Sequence, residues 1–250
     1  MVQIVDLGSL IGKYSDRVRL TPFSEEGEIK MFGCHTHRLS KEIYEDERKF
    51  NATIASFNYE RNRYIRQHCH EALEFKAKLG AVAADKVGEN GVVYDLGCGI
   101  GISSIACSLL TSNAVISIDY DRHRVRKAGK LARLVGSQIK LVAADATRYL
   151  KKRNLSTSDV VLVAGPQYSL KDYWKELLRN YEFTLVLACN SDVIDPKANR
   201  YVPILQLRAK LDDFINEHFT AFGFGVLLGS PEVMPSGLVL IASKTISQNE

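Results

Sequence analysis

Short apolar runs alternate with longer segments whose apolar residues recur every three or four positions, from about residue 90 to residue 220. The apolar runs lie at 92–94, 114–119, 139–144, 159–164 and 183–188. The segments with helical spacing lie at 102–110, 122–135, 170–180 and 203–219, and a short basic segment precedes the fourth run. This pattern predicts buried strands separated by amphipathic helices. We therefore expect a mostly parallel sheet covered on both faces.

The chain ends with a different pattern. Two apolar runs, 222–228 and 238–243, are separated only by residues 229–237. This connection is too short for a helical crossover, so the two runs are predicted to form an antiparallel hairpin. The predicted fold is thus α/β, a doubly wound, mostly parallel seven-stranded sheet with an antiparallel C-terminal hairpin.

The first 90 residues do not follow this rhythm. Residues 39–87 are rich in charged, aromatic and alanine residues and predict two or three helices, with breaks near Asn58 and Gly80. Residues 1–33 give mixed signals. We expect an N-terminal arm and helical cap over residues 1–88 and an α/β domain over residues 89–250.

Composition excludes several classes of protein. No apolar run approaches the roughly 18 to 20 residues that cross a bilayer. Asp6 and the interrupted apolar residues of the first segment do not resemble a signal peptide. Five widely spaced cysteines do not suggest a disulfide framework. We predict a cytoplasmic protein with reduced thiols.

A glycine-rich loop follows the first strand of the α/β pattern. It contains Gly97, Cys98, Gly99 and Gly101, and Asp95 precedes it. Alternate glycines at the end of a buried strand permit a tight turn and a close approach of the backbone to a ligand. Ser104 stands where the dinucleotide fingerprint has its third glycine, so an NAD-linked enzyme is the weaker alternative.

Three carboxylates stand at the ends of three successive predicted strands: Asp95, Asp119 and Asp145. The carboxyl ends of parallel strands meet at one edge of the sheet, where open α/β sheets bind ligands. Carboxylates there can accept hydrogen bonds from an amino group, a ribose diol and an adenine amine. We therefore expect a nucleotide-like ligand.

With this motif the chain resembles the class I S-adenosylmethionine-dependent methyltransferases, whose first motif is acidic-x-Gly-x-Gly-x-Gly. The resemblance covers roughly residues 75–245. It implies S-adenosylmethionine as cofactor, with its amino-acid part near the glycine loop, its ribose at Asp119 and its adenine at Asp145 and Ala146. The full set implied to bind the cofactor is Asp95, Gly97, Cys98, Gly99, Gly101, Asp119, Tyr120, Asp145 and Ala146.

The segment after the fourth strand is where methyltransferases acting on planar amines carry Asn/Asp/Ser-Pro-Pro-aromatic. This chain has Gly165 and Gln167 in place of the polar residue and the second proline. The candidates for the acceptor side are therefore Pro166, Gln167 and Tyr168, and Tyr168 could equally stack on an acceptor or cover the sheet. Methyl transfer from a sulfonium depends mainly on alignment and desolvation, so it does not demand a catalytic base.

The net charge of +4 conceals an uneven distribution. Residues 1–90, 91–180 and 181–250 carry net charges of 0, +7 and −3, and between residues 122 and 153 the only acid is Asp145. Two interpretations stay open: a solvated helix face, or a surface for a polyanion such as RNA. The residues concerned are Arg122, Arg126, Lys130 and Arg133.

Two clusters of potential metal ligands have unsuitable spacing. They are Cys34, His35 and His37, and then His68, Cys69 and His70. Zinc ligands usually lie two to four residues apart around a turn, and helical residues at i and i+2 face different directions. We predict no metal site.

The sequence thus predicts S-adenosylmethionine-dependent methyl transfer, with a small-molecule acceptor favoured. One alternative is a tRNA or rRNA methyltransferase. Another, from a different class, is a protein that binds the cofactor without transferring a methyl group, as a sensor or an assembly partner.

Overall fold

The computed structural model describes residues 4–6, 14, 29–31, 35–37, 65–134, 136–164, 173–195, 197, 204–230 and 237–244. The strands are β1 (Ile4–Asp6), β2 (Ile29–Met31), β3 (His35–His37), β4 (Val92–Leu96), β5 (Ala114–Asp119), β6 (Lys140–Ala143), β7 (Val160–Val163), β8 (Thr184–Asn190), β9 (Gly225–Ser230) and β10 (Gly237–Ser243). The α-helices are α1 (Ile65–Lys86), α2 (Ile102–Leu110), α3 (Arg122–Leu134), α4 (Ala146–Leu150), α5 (Tyr173–Asn180), α6 (Ser191–Ile194) and α7 (Arg208–His218). Two 3₁₀ helices span Ile204–Leu207 and Thr220–Phe222.

The main sheet has the strand order β1-β9-β10-β8-β7-β4-β5-β6. Strands β4 to β8 are parallel to one another, whereas β10 is antiparallel to both β8 and β9. The predicted seven-stranded sheet with an antiparallel hairpin is therefore confirmed by β4–β10. An eighth strand, β1, extends the sheet by pairing in parallel with β9, and β2 and β3 form a separate antiparallel pair.

Strand β4 is the switch point of the sheet. Its neighbours are β5 on one side and β7 on the other, so the chain builds outward from β4 first toward β6 and then toward β8. The connections on either side of β4 diverge at its carboxyl end, which leaves a crevice there. The glycine-rich loop that follows β4 occupies this position.

Helices cover both faces of the sheet because alternate residues of each buried strand point to opposite sides. Val93, Val115 and Val160 pack on one face with residues of α1, α2 and α3. Tyr94, Ile118 and Val161 pack on the other face with residues of α4, α5 and α7. The two cores together fix the strand ends that carry the site.

Helix α1 runs without interruption through Gly80, so the predicted break there is wrong. A Cβ at residue 80 would lie 2.2 Å from the carbonyl oxygen of Ser103 in α2. Glycine is therefore used at this position to let two helices approach closely, and it does not end the helix. The break near Asn58 and residues 39–64 of the proposed cap lie outside the described residues, and the domain division at residue 88 stays a prediction.

Among the described residues, no helix combines the length and the apolar character that a bilayer span requires.

Candidate functional site

The loop after β4 adopts a conformation that favours glycine at three positions. Gly97, Gly99 and Gly101 have φ angles of +68°, +59° and +79°, in the left-handed region. A Cβ built on Gly97 or Gly99 would have no heavy atom within 4 Å, so the space beside these two residues is open. At Gly101 the Cβ would lie 3.2 Å from the Cβ of Ala128, where α3 packs against the start of α2.

Hydrogen bonds hold this loop against the end of β5. The amides of Gly97 and Cys98 donate to the carbonyl of Ile118 at 2.8 and 3.0 Å. The amide of Gly99 donates to Oδ2 of Asp119 at 2.9 Å. The loop is thus fixed in position next to the second strand-end carboxylate.

Asp95 lies beneath the loop and is 1% exposed. Its Oδ2 accepts a hydrogen bond of 2.5 Å from the hydroxyl of Ser104, which lies in the first turn of α2. Its Oδ1 is buried and has no hydrogen-bond partner among the described residues. Burial raises the pKa of Asp95 to about 6, because the charged form loses its hydration.

Asp119 is also buried, but both of its carboxylate oxygens have backbone partners. Oδ2 accepts from Gly99 and Oδ1 accepts from the amide of Asp121 at 2.9 Å. A carboxylate has about four lone-pair sites, so each oxygen of Asp119 can accept a second hydrogen bond. The neighbouring Tyr120 is 67% exposed.

Asp145 follows β6 and caps helix α4. Its Oδ1 accepts a 2.9 Å hydrogen bond from the amide of Arg148, and its side chain is otherwise exposed to solvent. The amide of Ala144 donates to the carbonyl of Asp119 at 3.0 Å, which links the ends of β5 and β6. Ala146, the first residue of α4, is half-buried.

The sheet register brings these residues to one edge. Leu96 pairs with Ile118, and Asp119 pairs with Ala143, so β4, β5 and β6 end side by side. Asp95, Asp119 and Asp145 therefore lie at or just after the carboxyl ends of three adjacent strands. Their combined charge suits a ligand that carries a positive group and hydrogen-bond donors.

Two serines near Asp95 were missed as site residues. In the sequence Ser104 stands out only as a departure from the dinucleotide fingerprint, although its position at the start of a helix after the loop is a signal for a site residue. Ser117 is the register partner of Asp95 on β5, and its buried hydroxyl has no partner among the described residues. Nothing in the local sequence distinguishes Ser117 from other strand residues.

The Cys98 thiol is not a nucleophile in this setting. Burial raises its pKa, and the carboxylates of Asp95 and Asp119 raise it further. A neutral thiol is a poor nucleophile. Cys98 therefore contributes the backbone of the loop rather than covalent chemistry.

Several residues singled out from the sequence lie outside the described part of the chain. These are the acceptor-side candidates Pro166, Gln167 and Tyr168, and Cys34. The side chains of His35, His37, His68, Cys69 and His70 are outside it as well. Among the side chains that the structure does describe, no group of three or more His, Cys, Asp or Glu could hold a metal ion.

The basic stretch flanks one edge of the sheet. Helix α3 packs on one face and α4 on the other, with the edge strand β6 between them. The described side chains of Arg122, Arg126, Lys130 and Arg133 on α3 are exposed. The basic residues of α3 and α4 therefore lie on either side of the edge strand β6. This strand is separated from β4 by β5.

The fold of the chain is that of the Rossmann-like methyltransferases. Magnesium protoporphyrin IX methyltransferase from Synechocystis PCC 6803 has the same fold. Its structure with bound SAM has a TM-score of 0.51 at 15% identity and covers 81% of this chain and 94% of that one. Its structure with SAH has a TM-score of 0.52 at 16% identity and covers 81% and 97%. Ribosomal protein L11 methylase from Lactobacillus delbrueckii subsp. bulgaricus has a TM-score of 0.47 at 18% identity and covers 68% and 78%.

The family model of ribosomal protein L11 methyltransferase (PrmA) matches residues 67–176, which is less than half of the chain. No curated protein matches the sequence. The matched segment and the fold make the chain similar to the class I S-adenosylmethionine-dependent methyltransferases. The cofactor of this class is S-adenosylmethionine.

The observed groups fit this cofactor. The unpartnered buried oxygen of Asp95 can accept from an ammonium group, and the spare lone pairs of Asp119 can accept from two ribose hydroxyls. The open space beside Gly97 and Gly99 is volume that a side chain would fill.

Proposed function

We propose that this protein transfers a methyl group from S-adenosylmethionine to a small-molecule acceptor. The observation that carries the proposal is the set of three carboxylates at adjacent strand ends, together with three left-handed glycines in the loop after β4. Bound S-adenosylmethionine supplies an electrophilic methyl group on its sulfonium.

Each strand end has a separate role in this proposal. Asp95 supplies negative charge beneath the loop for the amino-acid end of the cofactor, and Asp119 accepts from the ribose hydroxyls. Asp145 accepts from the adenine amine, next to Ala146 and the exposed ring of Tyr120. The glycine loop, with Cys98 in it, lets the backbone approach the cofactor.

The strand order supports an acceptor on the side of β7. The ribose and adenine groups are assigned to β5 and β6, so the other end of the cofactor extends from β4 toward β7. Pro166, Gln167 and Tyr168 follow β7 in the sequence and remain the acceptor-side candidates. These residues orient and desolvate the acceptor in our proposal, and no general base is required.

The position of the basic surface supports a small acceptor over RNA. This surface, formed by α3, the start of β6 and α4, lies beyond β5, whereas β7 lies on the opposite side of β4. Its charges are therefore displaced from the proposed methyl-transfer end. RNA stays the second candidate because four basic residues of α3 are exposed without a carboxylate among them.

The acceptor class is tested by incubating the protein with S-adenosylmethionine labelled in its methyl group and with separated cell-extract fractions. Label in the low-molecular-weight fraction is the expected result. Label in RNA or protein alone would contradict the small-molecule proposal. Cofactor binding without transfer to any fraction would favour the sensor or assembly interpretation.

The RNA alternative has its own test. If the basic surface binds RNA, affinity falls steeply with salt and is lost in the variant Arg122→Glu, Arg126→Glu, Lys130→Glu. The matched control, Lys86→Glu, Arg179→Glu, Lys244→Glu, changes the net charge equally at positions outside this surface. Equal RNA affinity of the two triple variants, or a flat salt response, would exclude RNA binding through α3.

A further inference from the structure

Three polar residues, Asp95, Ser104 and Ser117, lie inside the otherwise apolar core beneath the glycine loop. Asp95 and Ser117 are register partners on β4 and β5, and the valines two positions earlier on the same strands, Val93 and Val115, face this core. Ser104 reaches Asp95 from α2 and is completely buried. Buried polar groups without partners are costly, so their presence here requires a reason beyond stability.

The hydrogen bond from Ser104 restricts the orientation of the Asp95 carboxylate. The Ser104 hydroxyl donates to Oδ2 at 2.5 Å, and no other described side chain donates to Asp95. Oδ1 is left as the unpartnered oxygen. A short hydrogen bond to a carboxylate is stronger than one between neutral groups, so it fixes the rotation of the side chain.

We propose that Ser104 is a positioning residue for the amino-acid end of the cofactor: its hydroxyl holds Oδ2 of Asp95, which leaves Oδ1 to receive the cofactor's ammonium group. This inference rests on the proposed function. It concerns a residue that acts through Asp95 and does not itself touch the cofactor.

The groups around Asp95 determine how loss of the Ser104 hydroxyl changes the pKa of this carboxylate. Burial raises the pKa of Asp95, and the hydrogen bond from Ser104 lowers it, as does Lys76 on α1. Asp119 at the end of β5 raises it. The nearby thiols of Cys98 and Cys107 have raised pKa values and stay neutral. Without the Ser104 hydroxyl, Asp95 is therefore less ionised near neutral pH.

The experiment is a calorimetric titration of S-adenosylhomocysteine, which keeps the ammonium group, and of 5′-methylthioadenosine, which lacks it. Ser104→Ala is expected to weaken S-adenosylhomocysteine binding about tenfold at pH 6.5, consistent with loss of a hydrogen bond to a charged group. The effect should shrink at pH 8, where Asp95 is ionised in both proteins. Binding of 5′-methylthioadenosine should be unchanged.

Ser103→Ala is the matched control. Ser103 is the preceding residue on the same helix and is also buried, and the structure shows no hydrogen bond from it to Asp95. We expect wild-type affinity for both ligands. Ser104→Cys keeps the side-chain volume with a weaker donor and should give an intermediate loss, so the proposal stays testable if Ser104→Ala folds poorly.

A double-mutant comparison tests whether Ser104 affects ligand affinity only through Asp95. In an Asp95→Asn background, adding Ser104→Ala is expected to cause no further loss of S-adenosylhomocysteine affinity. An equal loss for both ligands, a loss that persists in the Asp95→Asn background, or no loss at all would overturn the inference while leaving the proposed function intact. Failure of the wild-type protein to bind S-adenosylhomocysteine would overturn the proposed function and this inference with it.

Discussion

Buried aspartates lie both where the parallel strands begin, here called the amino edge, and where they end, the carboxyl edge. Asp159 at the amino edge and Asp95 at the carboxyl edge are used in opposite ways. At the amino edge, Asp159 is 6% exposed and accepts hydrogen bonds from the amides of Val92 and Ser156 at 2.7 and 2.9 Å, and from the Ser156 hydroxyl at 3.1 Å. At the carboxyl edge, Asp95 is 1% exposed and has a single side-chain donor. The chain itself satisfies the first carboxylate and leaves an acceptor on the second.

The glycines of the two edges differ in the same way. A Cβ on Gly91 at the amino edge would lie 2.0 Å from the carbonyl oxygen of Ser158, whereas one on Gly97 would enter open space. The side-chain amide of Asn113 further closes the amino edge by donating to the carbonyls of Gly88 and Gly91 at 2.9 and 3.0 Å. One edge is therefore sealed by the protein's own groups, and the other is built to receive a ligand.

The largest expected effect is on stability at the amino edge. Asp159→Ala removes the acceptor of two backbone amides and a hydroxyl, and each buried donor left unpartnered costs roughly 1–3 kcal/mol. We expect the free energy of unfolding in urea to fall by about 4 kcal/mol. Affinity for S-adenosylhomocysteine should remain close to that of the wild type.

Asp213→Ala removes an exposed carboxylate of α7 and serves as the control for this variant. A surface substitution of this kind changes stability by about 0.5 kcal/mol or less. Equal stability of the two variants would show that the amino edge does not depend on Asp159.

The pH dependence of stability distinguishes Asp95 from an ordinary carboxylate. Its pKa is about 6 in the folded protein against an ordinary 3.8, so the folded state holds this proton more tightly than the unfolded state. The contribution of Asp95 to stability therefore falls as pH rises from about 4 to about 6 and stays constant above, by about 3 kcal/mol in all.

Asp95→Asn removes this contribution. Urea unfolding at several pH values should show that the wild type loses stability relative to Asp95→Asn between pH 4 and pH 6. A constant difference between the two proteins over this range would mean that Asp95 has an ordinary pKa.

The same glycine substitution should have opposite consequences at the two edges. Gly91→Ala forces a Cβ against the Ser158 carbonyl and should lower the free energy of unfolding by about 2 kcal/mol without affecting ligand binding. Gly97→Ala costs about 1 kcal/mol, because alanine is strained at a φ of +68°. It should also weaken S-adenosylhomocysteine binding about tenfold, because the Cβ occupies the open side of the loop.

The comparison between the edges would fail if Gly91→Ala weakened ligand binding more than Gly97→Ala did. The two variants carry the same added methyl group, so each is the control of the other.

Much of the fold could be predicted because apolar periodicity reports local geometry directly. The run at 114–119 corresponds to β5 (Ala114–Asp119), and the terminal hairpin followed from a connection too short for a crossover. Gly80 was misinterpreted because its reason is a close contact with α2, which no local pattern contains. Strand β1 has three residues and pairs with a strand far along the chain, so its own segment has too little periodicity to reveal it.

The residues of the candidate site could be predicted from the sequence where they lie at strand ends or are glycines of the loop. The sequence places Asp95, Asp119 and Asp145 after apolar runs, and parallel pairing then makes those ends neighbours. The hydrogen bond from Ser104 to Asp95 depends on the rotation of α2 over the sheet, which is a tertiary property. The assignment of these residues to parts of the cofactor stays a prediction.

The central claim is that the carboxyl ends of β4, β5 and β6 bind S-adenosylmethionine. A crystal structure of the complex with S-adenosylhomocysteine tests it most directly. We predict that the amino-acid part lies against the loop from Gly97 to Gly101, with the ribose hydroxyls at Asp119 and the adenine beside Asp145. A ligand bound at another place, or one that leaves the glycine loop and Asp119 without contacts, would contradict the account.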